Sequence, residues 1–182
     1  MTRMPVLNRD EMDADQRRVH DEIIATTGRV GRGPAVGYAY SPGLWENHNA
    51  SSAHLNKCSL TQAQVRTVSL MTARHWNAAY PWSAQAGSAL AAGIDPTVVE
   101  AMNAGQKPDF ADSADKMVHT AARELLSTGT LGDETFKQAE STIGLRCLAD
   151  IVGVIGHFCT TSMMANVAGA EPSPDAPSHL KL

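Results

Sequence analysis

An all-α fold is predicted by three features of the sequence. Helix start and stop signals recur along most of the chain. Between them apolar residues repeat at helical spacing, with no alternating segment that reads as a strand. Aromatic residues are only 5% of the chain, while alanine and methionine are abundant. Alanine is the strongest helix former, and small side chains let helices approach closely.

The elements follow in order. Asp13 with Gln16 three residues later reads as a capping box, and Val19, Ile23 and Ile24 give that helix an apolar face. Gly28, Gly31, Gly33, Pro34 and Gly37 predict a long loop. Ser41-Pro42 reads as a cap followed by proline at the first helical position, with Leu44, Trp45, His48, Ser52 and Leu55 along one face. Ser59 or Thr61 starts the third helix, on which Val65, Val68, Met71, Thr72 and Trp76 recur. A break at Asn77-Ala78-Ala79 precedes a helix whose first turn holds Pro81 and which stops at Gly93. Asp95-Pro96 caps a short helix ending at Asn103, and a loop covers 105–112. Ser113 opens a helix with Met117, Val118, Ala121 and Leu125 inward, ending near Gly129. Asp133 caps another, carrying Phe136 and Ile143. The last helix runs from about Leu145 to Val167 and is apolar nearly all round, which predicts a central position. Gly153 and Gly156 within it are read as marks of close backbone approach. Residues 1–170 form one domain in this reading, and the proline-rich 171–182 a loose tail.

At 182 residues, 43% hydrophobic and 19% charged, the chain is large enough for one domain with a real core. A formal charge of −4 supplies no basic surface for nucleic acid or anionic lipid. The N-terminus has no apolar signal core, and no uninterrupted apolar run approaches the roughly 20 residues of a membrane span. Cys58, Cys147 and Cys159 are isolated and odd in number, with no CxxC. They are expected to be reduced thiols of a cytoplasmic protein rather than a metal site or a disulfide framework. His48 and His54, six residues apart, do not share a helix face as a metal pair would.

The stretch from Leu60 to Ile94 resembles the central helical pair of the carboxymuconolactone decarboxylase / alkylhydroperoxidase (AhpD)-like family. The elements Ala73-Arg74-His75-Trp76, Tyr80-x-Trp82 and Ala91-Ala92-Gly93 stand in the family's order and spacing. Gly33-Pro34, Ser41-Pro42-Gly43-Leu44, Leu126 to Phe136 and Gly156-His157-Phe158 extend the likeness over most of the chain. The resemblance implies an AhpD-like helical protomer with a central antiparallel helix pair, assembled as a homo-trimer or hexamer. It also implies one of two activities: cofactor-free decarboxylation of a lactone acid in aromatic catabolism, or peroxide reduction by a cysteine pair. Three departures bear on the chemistry. Thr67 stands where the family places Glu, Pro81 where it reads Tyr-Glu-Trp, and Gln85 where it carries His. No cysteine lies near residues 78–82, where the peroxidase pair would fall.

Decarboxylation needs a cation to hold the carboxylate, donors for the developing oxyanion and an acid to return a proton. His75 is the expected proton-transfer residue, with Tyr80 and Gln85 orienting the substrate. Arg74, Trp82, His157 and Arg146 are expected to bind it. Each has a plainer reading: a helix-end hydrogen bond for His75, core or interface for Tyr80 and Trp82, solvated charge for the arginines, and a satisfied core imidazole for His157. The sequence therefore predicts a cofactor-independent, metal-free lyase acting on a small cyclic or aromatic-derived organic acid. The alternative is a non-catalytic relative that binds a small molecule or serves assembly. A thiol peroxidase would need two cysteine sulfurs within bonding reach.

Overall fold

The computed structural model describes residues 3–181. After a short turn at Arg9–Glu11, the helices are α1 (Ala14–Thr27), α2 (Pro34–Tyr38), α3 (Pro42–Leu55), α4 (Gln62–His75), α5 (Ala79–Ala91), α6 (Pro96–Asn103), α7 (Ser113–Thr128), α8 (Asp133–Thr142) and α9 (Gly144–Ala168). There is no strand among the described residues. α2 falls inside the segment expected to be loop. Pro34 at its first position presets the backbone angle and gives up a donor that had no partner there.

α4 and α5 pack against each other most extensively, and their three-residue connection makes the pair antiparallel. Asn77 turns the chain at φ 49, a left-handed angle its short polar side chain tolerates. Of the two candidate starts for α4, the cap is Thr61. Its hydroxyl accepts from the Gln64 N–H at 3.1 Å, and the Gln64 side chain accepts from the Thr61 N–H at 3.0 Å. Ser59 is engaged elsewhere, donating its N–H and hydroxyl to Asp150 of α9 at 2.8 and 2.5 Å.

α9 is long and apolar enough, by length and composition, to cross a membrane. In this fold it is the central helix, with α2, α3, α4, α5, α7 and α8 packed around it. Ile151 and Val154 are fully buried against Val68 of α4 and Val118 of α7. Its opposite face leaves Leu145, Val152, Met163 and Val167 exposed. A Cβ at Gly153 or Gly156 would meet nothing within 4 Å, so no backbone among the described residues approaches them closely.

Gly33 has φ 66, and the ring of Tyr80 lies where its Cβ would stand. Gly33→Ala is therefore expected to cost about 2 kcal/mol, from left-handed strain plus the displacement of the Tyr80 ring. Urea denaturation checks this; a midpoint equal to the parent's would contradict the packing.

The segment expected to be a loose tail is hydrogen-bonded from Ser178 to Lys181. Asn103, 1% exposed at the end of α6, donates to the His179 carbonyl at 2.9 Å and accepts from the Lys181 N–H at 2.9 Å. The indole N–H of Trp82 donates to the Ser178 hydroxyl at 3.1 Å, and the Ser83 hydroxyl to the Ser178 carbonyl at 2.8 Å. Buried polar groups require partners, and this segment supplies them. Leu180 packs on the α4–α5–α6 core.

Candidate functional site

The C-terminal end of α4 carries Arg74 and His75 in its last turn. Together with α6, the 104–112 loop and α7 they line an open cavity of about 450 Å³. α7 contributes His119 and Arg123, four apart and hence on one face. The loop contributes Lys107, while Met71 and Leu126 form apolar wall. Three permanent cations and two imidazoles thus line a space with no acidic residue in its described lining.

Arg74 is held in place by main-chain oxygens. Its guanidinium donates to the carbonyl of Asn103, and to that of Lys181 at 3.0 Å. Neither bond neutralises its charge. Lys107 and Arg123 have no ion-pair partner among the described residues. His119 is 7% exposed and packs at 5.4 Å against Phe110. Burial, and then the charges of Arg123 and Lys107, push its pKa down to about 4, so it is neutral at pH 7. His75 is exposed, edge-on to Trp76 at 5.3 Å, and its ring nitrogens have no hydrogen-bond partner among the described residues.

The other sequence-predicted residues stand elsewhere. Gln85 accepts from Arg66 at 2.8 Å and from the Ser69 hydroxyl at 3.4 Å, between α4 and α5. Burial lowers the pKa of that arginine from its ordinary value. Tyr80 lines a crevice between α5 and the 172–177 segment. Burial raises its pKa, opposed by the charges of Arg32 and Arg29. Trp82 is fully enclosed in the α4–α5–α6 core. Arg146 is exposed in the first turn of α9. His157 bonds to the Ser51 hydroxyl at 3.1 Å and stacks on His48 at 4.2 Å. The structure brings Arg74 and His75 into one cavity and adds His119, Arg123 and Lys107. The only sequence signal for the added residues was the helical spacing of His119 and Arg123.

The three cysteines are free and separately engaged. Cys58 donates to the Leu55 carbonyl at 3.4 Å, and Cys147 points to the Ser59 carbonyl at 3.8 Å. Cys159 accepts from the Trp76 indole at 3.1 Å.

Burial lowers the pKa of His48 to about 4. Burial, and then the charge of His48, lowers that of His157 to about 4 as well. With His119, three imidazoles must stay neutral in the folded state, whereas in the unfolded chain they take up protons near pH 6.5. The unfolded state thus binds more protons between about pH 6.5 and 4. Stability is complete above that window and falls as pH drops through it. The loss expected at pH 5 is on the order of 1–2 kcal/mol per histidine. Chemical denaturation at pH 7 and pH 5 measures it; equal stabilities would refute the burial of these rings as neutral groups.

No family model matches the chain, and no curated protein matches it. Among solved structures it is similar to an uncharacterized peroxidase-related protein from Ralstonia eutropha JMP134, whose crystal structure is described as an alkylhydroperoxidase AhpD core. The two share 17% identity at a TM-score of 0.77, over 96% of this chain and 93% of the other. At that identity the likeness speaks for the backbone. The arrangement of the helices is an AhpD-like fold.

Proposed function

We propose that this chain is a cofactor-independent lyase, resembling carboxymuconolactone decarboxylase, that acts on a small cyclic or aromatic-derived organic acid in the Arg74–His119 cavity. The observation that carries the reading is an acid-free lining with three cations and two imidazoles. Such a lining is suited to an organic anion. Arg123 and Lys107 hold the substrate carboxylates, and Arg74 fixes the opposite wall. When the carbon–carboxylate bond breaks, CO2 leaves and its electron pair passes into a conjugated carbonyl. The resulting oxyanion needs donors already in place. Neutral His119 donates a hydrogen bond to it, and His75 returns a proton to carbon.

The test is CO2 release from a panel of lactone and cyclic keto acids, comparing the parent with Arg123→Gln. The substitution is expected to weaken apparent substrate affinity at least 10-fold, seen as a higher Michaelis constant. Absence of turnover with every acid, together with no binding of any, would end the reading. Binding without turnover would favour the non-catalytic relative.

The same reading includes assembly as a homo-trimer or hexamer. The exposed apolar stripe of α9, with open space over Gly153 and Gly156, is the surface we expect a second copy to cover. Val152→Glu is expected to lower the mass in sedimentation equilibrium; an unchanged mass would contradict it.

A second reading, thiol peroxidase, is favoured by the description of the Ralstonia protein. It predicts thiol-dependent reduction of an alkyl hydroperoxide that is lost in Cys159→Ser. Activity retained in all three single cysteine-to-serine variants would exclude it.

A further inference from the structure

A second cavity, of about 290 Å³, lies between α1, α2 and α3. Ile23, Tyr38 and Trp45 make its apolar walls, and Arg29, Arg32 and His48 its polar ones. Its described lining also has no acid. Arg9 and Arg18, by contrast, are paired, Arg9 with Asp21 at 2.6 Å and Arg18 with Glu46 at 2.7 Å. Arg29 and Arg32 have neither an ion pair nor a side-chain hydrogen bond among the described residues. Two exposed guanidinium groups without an acidic partner thus line a partly apolar pocket, and the guanidinium fork matches the geometry of a carboxylate.

The far wall is a stack of rings. The imidazole of His48 is clamped face to face between Tyr38, at 4.3 Å and 29°, and His157, at 4.2 Å and 17°. His157 is in turn tied to Ser51 at 3.1 Å. The ring of His48 has no hydrogen-bond partner among the described residues, so its edge is available to a ligand. Burial keeps it neutral at pH 7, leaving both a donor and an acceptor on that edge. The arginine loop is supported from behind by Tyr80, whose ring packs on Gly33.

We propose that this cavity is a binding site, separate from the Arg74–His119 cavity, for a small aromatic monocarboxylate. The carboxylate takes the fork of Arg29 and Arg32. The flat body lies against the wall formed by Ile23, Tyr38 and Trp45, which are packed with one another behind it, and a polar substituent reaches His48. The volume lies at the lower end of the range for ligand pockets, which limits the occupant to a compact molecule. This site is inferred from its own lining and does not depend on the reaction proposed above.

Benzoate, with neutral benzamide as control, tests the proposal by titration into the full chain. Binding is followed by calorimetry and by the NMR ring-proton signals of the histidines. Benzoate is expected to shift the His48 signal saturably. Arg29→Gln/Arg32→Gln is expected to weaken that response at least 10-fold, Arg123→Gln to leave it unchanged, and benzamide to bind at least 10-fold more weakly. Shifts confined to His75 and His119 would overturn this site while leaving the other cavity standing. Equal binding of benzamide, a His48 response insensitive to the double variant, or no saturable response at His48 would each overturn it as well.

Discussion

His75→Ala is expected to lower turnover of an organic-acid substrate by about 10²–10⁴-fold, the usual contribution of a positioned acid or base. The folded state should hardly notice. His75 is exposed at the last position of α4, and its ring carries no hydrogen bond among the described residues. Its loss should change Tm by no more than about 2 °C, since exposed substitutions stay within roughly 0.5 kcal/mol. The pairing of a large rate effect with a small stability effect is the diagnostic. His119→Ala is expected to reduce turnover too, but with a destabilisation of about 1–3 kcal/mol, because a buried ring is deleted. Steady-state kinetics and thermal unfolding on the two variants separate the roles. Unchanged turnover in His75→Ala would remove it from the chemistry.

Trp82→Ala is expected to give the largest stability loss, about 3–5 kcal/mol, or roughly 6–20 °C in Tm. Trp82 is fully buried among Leu70, Ala86 and Val99, with small alanines around it that cannot expand to fill the space. Deleting it also removes the nearer of the two donors to the Ser178 hydroxyl, at 3.1 Å, leaving only the Asn103 amide at 3.4 Å. The loss extends to the 178–181 segment, and through the Lys181 carbonyl to Arg74. Ser178→Ala removes only the hydrogen bonds from Trp82 and Asn103 and should cost about 1–2 kcal/mol. Differential scanning calorimetry on both variants distinguishes core packing from the tail contact. A Trp82→Ala midpoint within about 2 °C of the parent would contradict the enclosed position of the ring.

Much of the helical scaffold was legible because its signals are local. Asp13 with Gln16, Thr61 with Gln64, Asp95 with Pro96, and Gly129 each act on groups within four residues. The central position of α9 was legible for a related reason: a helix apolar nearly all round must be contacted on several sides. α2 was missed because five residues rich in small side chains carry too short a pattern to stand out from loop. The bonding of 178–181 was missed because it depends on the buried amide of Asn103, more than 70 residues earlier.

The candidate site divides along the same line. Arg74 and His75 could be singled out because adjacent residues at a helix end remain adjacent in space. Tyr80 and Gln85 follow within ten residues of His75, yet the turn at Asn77 and the course of α5 direct Tyr80 to Gly33 and Gln85 to Arg66. His119, Arg123 and Lys107 reach the cavity only because α7 packs against α4 and the 104–112 loop folds over their junction. By itself the sequence determined that the chain is all helix, where most helices begin and end, and that no cysteine pair of the CxxC type exists. The tertiary structure alone decided which charges share a cavity and which imidazoles are buried, because charge and burial act through space and are set by helix packing rather than by local spacing.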